Sequence, residues 1–134
     1  MKTEWISFIF FGMAALIHVG LFILESFLFQ KDGAQAKLGL TKEQHAAVKP
    51  WALNQGYYNL FLAIGTFVGL SLVLKKQILL AGVLTSFCGL SMMGAGTVLW
   101  FTVPRSRKFA LLQILPPLIG FAFLFFHISS SIGR

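Results

Sequence analysis

The chain has 134 residues, of which 57% are hydrophobic and only 11% are charged. Soluble domains carry about 25% charged residues, so this composition excludes an ordinary water-soluble globule, and it equally excludes a disordered tail. The formal net charge is +7, but the basic residues lie in short gaps between apolar runs. That placement is typical of a membrane protein and not of a nucleic-acid-binding one. The single cysteine, Cys88, excludes an internal disulfide.

Four apolar runs predict an all-α, polytopic membrane protein. About 20 apolar residues span a bilayer as a helix, and each run reaches that length. We therefore expect a single transmembrane domain over residues 1–134, with four transmembrane helices in an antiparallel up-down bundle. The predicted helices cover residues 5–29, 53–74, 77–100 and 109–132.

The first run contains two ionisable residues, His18 and Glu25. The run is longer than the apolar region of a signal peptide, which has about 7–15 residues. We therefore expect a transmembrane helix here and not a signal peptide. A rise of about 1.5 Å per residue places Glu25 about 6 Å inside the boundary set at Phe29, and His18 about 16 Å inside it, near the midplane. The two residues lie on one face of the helix, about 10 Å apart in height.

The connection over residues 31–52 is the longest in the chain. Residues Thr41 to Gln44 fit a capping box, which predicts a short interfacial helix over residues 42–49 that ends at Pro50. His45 falls in this polar segment, and we expect it on the solvated face.

Small residues mark the packing faces of the second and third helices. Gly65 and Gly69 form a GxxxG pattern, and glycine, alanine and serine recur along the third helix. Such residues allow helix backbones to approach closely in a membrane. The pattern fits close packing within one bundle, and it also allows a homo-oligomer.

The fourth run contains Pro116 and Pro117, which together remove two backbone donors. Two interpretations follow. Either the helix starts at Phe109 and is kinked by the prolines, or the membrane helix starts at Pro116 and residues 109–115 lie along the interface.

The basic residues predict an orientation. Seven of them fall on the side of the first and third loops, and four fall on the side of the termini and the second loop. Since basic residues accumulate in cytoplasmic loops, we expect a multi-pass protein of the cell (inner) membrane. The odd-numbered loops would be cytoplasmic, and both termini would lie outside.

Polar residues from all four helices predict one candidate ligand-binding layer. Ionisable groups at membrane depth are functional candidates because they rarely face lipid. The helical rise places Asn59, Thr97 and Gln113 roughly 4–9 Å inside the same boundary as Glu25. The full candidate set is His18, Glu25, Asn54, Gln55, Asn59, Thr97 and Gln113.

Structural roles remain open for the two ionisable residues. Glu25 also fits a residue that reaches the interface, or one that fixes the bundle by accepting hydrogen bonds from Asn59 and Trp51. His18 also fits a neutral packing histidine bonded to a serine or a backbone carbonyl. The histidines lack metal-ligand spacing and no glycine-rich loop is present, so we expect no metal and no cofactor.

Two stretches resemble a known family. They are residues 15–18 through Leu24 and Glu25 on the first helix, and Asn54 to Gly65 on the second. They look like small bacterial four-helix integral membrane proteins known only as a domain of unknown function, some of which carry a loose epimerase label. Ile17 stands where the pattern of that family often has an acid. The resemblance implies a four-helix membrane fold and no defined activity.

The sequence therefore favours a membrane protein that binds or transports a small or lipid-like ligand through a polar site within the bundle. Amides and one acid suit a polar head, while the phenylalanine-rich wall suits an apolar body. The alternatives are an intramembrane isomerase or epimerase that uses Glu25 and His18, or a non-catalytic scaffold. A separation of about 10 Å is too long for a direct acid–base pair. The expected partners are membrane lipids and the ligand, with no nucleic acid.

Overall fold

A computed structural model describes residues 3–34, 36 and 39–132, and the side chains of Thr3, Glu4, Ser131 and Ile132 are not described. The fold is all-α over this range. Each of its four long helices is apolar and long enough to cross a membrane, which confirms the predicted fold class. Three basic residues that contribute to the predicted orientation, Lys2, Lys37 and Arg134, lie outside the described residues.

The four helices follow one another along the chain, and the connection after the first helix is the longest. Helix α1 covers Thr3–Ile23 and continues as a π-helical turn over Leu24–Leu28. Helix α2 covers Lys42–Leu74 and helix α3 covers Ile78–Thr102. A 3₁₀ turn over Pro104–Ser106 leads into helix α4, which covers Arg107–Ile132.

The prediction of a separate interfacial helix over residues 42–49 is wrong. The capping box is present, since the Gln44 amide donates to Thr41 Oγ1 at 3.2 Å and the Thr41 amide donates to Gln44 Oε1 at 2.9 Å. The helix that it starts continues through Pro50 to Leu74. Proline removes one backbone hydrogen bond, but hydrogen bonds from Gln30 and His45 tie this segment to the end of α1. These tertiary contacts outweigh the local tendency to break.

The fourth helix does not start at its prolines, so the first of the two interpretations of its start is correct. Pro116 and Pro117 are both buried inside α4, which begins at Arg107. The structure therefore has one continuous helix here, and residues 109–115 lie within its first three turns. The two prolines leave the carbonyls of Leu112 and Gln113 without their usual helical donors.

The bundle is antiparallel, and each helix packs against its neighbours in chain order, with α4 closing back on α1. The Ser7 hydroxyl, near the start of α1, donates to the Gly120 carbonyl in the second half of α4 at 2.8 Å. Asn59 of α2 contacts Glu25 at the end of α1. These contacts bring the end of α1 and the first half of α2 to the same side of the bundle.

The GxxxG pattern serves packing within the bundle. A Cβ atom at Gly65 would lie 2.7 Å from Cys88 Sγ, and one at Gly69 would lie 2.6 Å from Thr85 Cγ2. Both glycines therefore face α3, where only a hydrogen atom fits. Lipid provides no hydrophobic drive between helices, so close backbone contacts of this kind hold a membrane bundle together.

Candidate functional site

The candidate site is built on an irregular turn at the end of α1. Over Leu24–Leu28 the helix widens, and the Phe29 amide donates to the Leu24 carbonyl at 2.7 Å, five residues back instead of four. The wider turn places Glu25 and the buried Ser26 against α2. Single π-helical turns inside α-helices occur frequently at functional sites.

Asn59 on α2 holds the Glu25 carboxylate. Its Nδ2 donates to Glu25 Oε2 at 2.7 Å. Asn59 is buried and Glu25 is half-buried, so the bond forms where water is scarce. The other carboxylate oxygen, Oε1, has no hydrogen bond to any described residue. One oxygen is thus fixed by the protein, and the other is available to a ligand.

Gly56 explains how the two helices approach so closely at this point. A Cβ atom at position 56 would overlap the Ser26 hydroxyl and would lie 3.2 Å from both the Glu25 Cβ and the Ser26 amide nitrogen. Only glycine leaves room for this contact, so Gly56 lets the π-helical turn lie directly on α2. Asn59, almost one helical turn further on, then reaches the carboxylate.

Ser26 carries the clearest chemical signal at the site. Its side chain is buried, and its hydroxyl has no hydrogen-bond partner among the described residues. Buried hydroxyls are normally paired because desolvation without a partner costs roughly 1–3 kcal/mol. Sequence reasoning missed Ser26, since a serine near a helix end usually bonds to its own backbone.

Two further residues connect the end of α1 to the start of α2. Gln30 Nε2 donates to the Glu25 carbonyl at 3.0 Å and to the Lys49 carbonyl at 3.1 Å. His45 Nε2 donates to the Phe29 carbonyl at 2.7 Å and is buried, with 4% of its surface exposed. The prediction of a solvated His45 is therefore wrong. The unbroken α2 turns this histidine inward, and a short helix on the membrane surface gives no sign of it.

His18 lies on the buried face of α1, below the π-helical turn. Its Nδ1 is 2.9 Å from the Ala14 carbonyl, so Nδ1 carries the proton and donates. Its Nε2 is buried and has no partner among the described residues. The backbone hydrogen bond is the one expected of a packing histidine, but it satisfies only one of the two ring nitrogens. The unpaired nitrogen accepts a hydrogen bond from any donor that reaches it.

Gln113 on α4 is buried, with 7% of its surface exposed, and it packs against Gly96 of α3. A Cβ atom at Gly96 would lie 3.0 Å from the Gln113 Cβ. Within the described part of the chain, Gln113 makes no hydrogen bond to Glu25 or Asn59. It contributes a polar side chain to the interior without joining the Glu25–Asn59 pair.

The remaining three candidates lie on the outside of the bundle. Asn54, Gln55 and Thr97 are exposed, and the Thr97 hydroxyl donates to the Met93 carbonyl of its own helix at 2.8 Å. The predicted layer with a polar residue from every helix is therefore wrong at α3. Estimates of depth alone place a residue at a height and leave its direction undefined, and helix rotation turns Thr97 outward.

The polar side chains in the interior are hydrogen-bond donors and acceptors. Among residues 3–34, 36 and 39–132, no three histidine, cysteine or acidic side chains are arranged to hold a metal ion. Glu25 and Ser26 adjoin Gly56 on one side of α1, and His18 lies two turns below them. The site therefore combines hydrogen-bond acceptors with one hydroxyl.

Four apolar helices of membrane-spanning length around a few buried polar groups define this chain as a multi-pass membrane protein with a helical bundle. It belongs to the family described as Protein of unknown function (DUF1304), whose family model matches residues 12–125. The match confirms the resemblance to a domain of unknown function and includes the π-helical turn, Gly56 and Asn59. No match was found among curated proteins or among solved structures.

Proposed function

We propose that this protein binds a small or lipid-like ligand whose polar head contacts Glu25 and Ser26 at the π-helical turn. The observation that carries the proposal is the buried Ser26 hydroxyl without a partner beside the half-occupied Glu25 carboxylate. An unpaired buried hydroxyl is costly, and a ligand that bonds to it removes that cost. Asn59 and Gly56 serve as positioning residues, because they hold the carboxylate and admit the turn.

The chemistry of the site selects ligands that donate hydrogen bonds. Glu25 Oε1 and His18 Nε2 are both acceptors without a partner in the described chain. An ammonium or hydroxyl group suits them, and the Ser26 hydroxyl can donate or accept as required. The head of the ligand is therefore an amine or an alcohol, and not an anion.

An aromatic wall beside the turn suits the rest of the ligand. The ring of Phe22 lies 5.3 Å from the ring of Tyr57 and 5.4 Å from that of Phe27, with the rings near edge-to-face in both pairs. Such rings offer an apolar surface next to the polar group, the usual composition of a small-molecule site. An amphipathic ligand thus places its head on Glu25 and its apolar body along these rings.

We also propose that the site opens toward the cytoplasmic side of the cell (inner) membrane. Lys31, Lys42, Lys49, Arg105, Arg107 and Lys108 lie at the Glu25 end, whereas Lys75 and Lys76 lie at the other. Basic residues mark cytoplasmic loops. On a Cys88→Ala background, Lys31→Cys should react with a thiol reagent only from inside and Lys76→Cys only from outside. The opposite pattern would invert the orientation.

Ligand-dependent thermal unfolding tests the function. Purified protein in detergent is screened against amphipathic amines, alcohols, isoprenoids, lipids and inorganic ions. We expect members of the amine or alcohol class to raise the Tm of the wild type. Glu25→Gln keeps an acceptor for Asn59 but removes the carboxylate, so it should abolish the ligand-dependent shift and leave the basal Tm near that of the wild type.

Glu43→Gln is the matched control, since Glu43 is an exposed acid in the first turn of α2, away from the Glu25 carboxylate. This variant should keep the full ligand-dependent shift. A compound that stabilises wild type, Glu25→Gln and Glu43→Gln equally would remove Glu25 from the site. A screen in which anionic compounds alone raise the Tm would contradict the proposed ligand class.

A further inference from the structure

An apolar groove lies at the opposite end of the bundle from Glu25. It has a volume of about 400 Å³ and lies between the first turns of α1 and the last turns of α2. Volumes of roughly 300–1,000 Å³ are typical of small-molecule sites. Its walls are formed mainly by Trp5, Phe8, Ile9, Phe67, Leu70 and Leu74. Trp5 and Leu74 are also exposed, so the groove opens on the outer surface of the bundle, where lipid lies.

Two lysines stand at the end of this groove. Lys75 and Lys76 follow Leu74 directly, and both are exposed. The Lys75 amide donates to the Ser71 carbonyl at 3.3 Å, and the Lys76 amide donates to the Val73 carbonyl at 3.0 Å. Ser71 and Val73 also line the groove. These hydrogen bonds fix the backbone of both lysines next to the groove. The exposed side chains can then reach a lipid headgroup at this end of the groove.

The backbone of Lys76 adds an independent observation. Its φ is +59°, and no other residue except glycine has a positive φ in the described chain. Glycine or asparagine adopts this left-handed conformation more readily. The turn therefore does not require lysine, and the side-chain charge supplies a reason for its presence.

We infer that the groove binds one acyl chain of an anionic phospholipid, with its phosphate at Lys75 and Lys76. A surface that faces the bilayer meets lipid first, and a tryptophan at its edge matches the interfacial level of the headgroups. Acyl chains are as apolar as the groove, so apolar contact alone does not select a lipid. Selection comes from charge, because clustered lysines beside a membrane helix attract anionic headgroups. By sequence, this end carries Lys2, Lys75, Lys76 and Arg134 against Glu4.

Quenching of Trp5 fluorescence tests the inference. Replacement of Trp51 and Trp100 by phenylalanine leaves Trp5 as the single reporter. The protein is reconstituted in phosphatidylcholine vesicles that contain a small fraction of either brominated phosphatidylglycerol or brominated phosphatidylcholine. Bromine on the acyl chain quenches a tryptophan that it contacts. We expect the anionic lipid to quench Trp5 at a lower mole fraction than the zwitterionic lipid.

The variant Lys75→Gln with Lys76→Asn removes both charges, and asparagine accepts the left-handed conformation at position 76. The anionic preference should fall about fivefold for each lysine lost. Arg105→Gln with Lys108→Gln removes two charges at the other membrane surface and should keep the preference. Equal quenching by both lipids in the parent protein, or an unchanged preference in the lysine variant, would overturn the inference.

A second measurement uses the protein with all its tryptophans. Native mass spectrometry from a detergent that contains equal amounts of the two lipids should show one anionic phospholipid retained by the wild type. The Lys75→Gln, Lys76→Asn variant should lose that adduct, while Arg105→Gln, Lys108→Gln should keep it. Retention of the adduct by the lysine variant would contradict the assignment even if the tryptophan substitutions disturb the fold.

Discussion

Helix α1 meets its neighbours through glycine at two levels, and the two contacts differ in how their polar groups are satisfied. At the first, the fully buried Phe11 fits into the space left by Gly89 and Gly120 and packs edge-on against Phe121, with the ring centres 5.0 Å apart. Nearby, the Ser7 hydroxyl donates to the Gly120 carbonyl. At the second, Gly56 admits the π-helical turn, but the Ser26 hydroxyl there has no partner among the described residues.

The difference distinguishes a contact that serves packing from the proposed ligand-binding site. A membrane bundle gains little from burying apolar surface, because lipid is equally apolar, so it depends on close contact and on paired polar groups. The Phe11 level meets both conditions. The π-helical turn makes the close contact but leaves a hydroxyl and a carboxylate oxygen without hydrogen-bond partners among the described residues. This pattern is the one expected where a ligand completes the site.

The largest expected effect is at the packed level. Gly89→Val should lower the free energy of unfolding by about 3 kcal/mol, the upper end of the range for an overpacked core. A Cβ atom at position 89 would already lie 2.8 Å from the Phe11 ring and 3.1 Å from the Phe121 ring. The measurement is unfolding by SDS titration in micelles.

Gly82→Val is the control for this substitution. Gly82 lies on the same helix, and a Cβ atom there would meet nothing within 4 Å. This variant should stay within about 0.5 kcal/mol of the wild type, as is usual for surface substitutions. Equal losses at positions 82 and 89 would mean that the Phe11 level is not the packed core of the bundle.

A smaller effect is expected at Glu25, which holds the polar level together. Glu25→Ala should cost about 2 kcal/mol, because it leaves the buried Asn59 amide without its acceptor. Glu25→Gln should cost little, since the amide oxygen still accepts that hydrogen bond. The same SDS titration measures both. If the two variants lose the same stability, the charge of Glu25 itself supports the fold, and the pair is not a simple hydrogen bond.

The smallest effect gives the sharpest comparison, because it uses one substitution at two buried serines of one chain. Ser7→Ala should cost about 1 kcal/mol, since it removes a formed hydrogen bond. Ser26→Ala removes a hydroxyl without a partner, so the unliganded protein should be unchanged or up to about 1 kcal/mol more stable. The measurement is the free energy of unfolding without ligand.

The proposed ligand adds a second readout to this pair. Ser26→Ala should reduce the ligand-dependent rise in Tm, and Ser7→Ala should leave that rise intact. A stability loss at Ser26 equal to that at Ser7 would show that the Ser26 hydroxyl is already paired, and the main support for the proposed function would be lost.

Part of the candidate site was visible in the sequence. Glu25 and Asn59 were selected because polar residues at membrane depth are rare, and the structure joins them by a hydrogen bond. Thr97 was selected by the same criterion, and Asn54 and Gln55 were added because i,i+4 spacing pairs them with Tyr58 and Asn59; all three are exposed. Residue depth follows from counting along a helix, whereas the direction of a side chain depends on how that helix is rotated against its neighbours. Counting along the helices therefore predicted the depth of the site, but it included side chains that point away from the interior.

The sequence by itself determined that four apolar helices cross a membrane, because run length and charge exclusion depend only on residue order. It also specified the capping box at Thr41, a local interaction between near neighbours. Only the tertiary structure decided that α2 continues through Pro50, that His45 turns inward and that α1 widens around Ser26. Each of these depends on contacts between segments distant in the chain, and their energies outweigh the local preferences that a sequence pattern records.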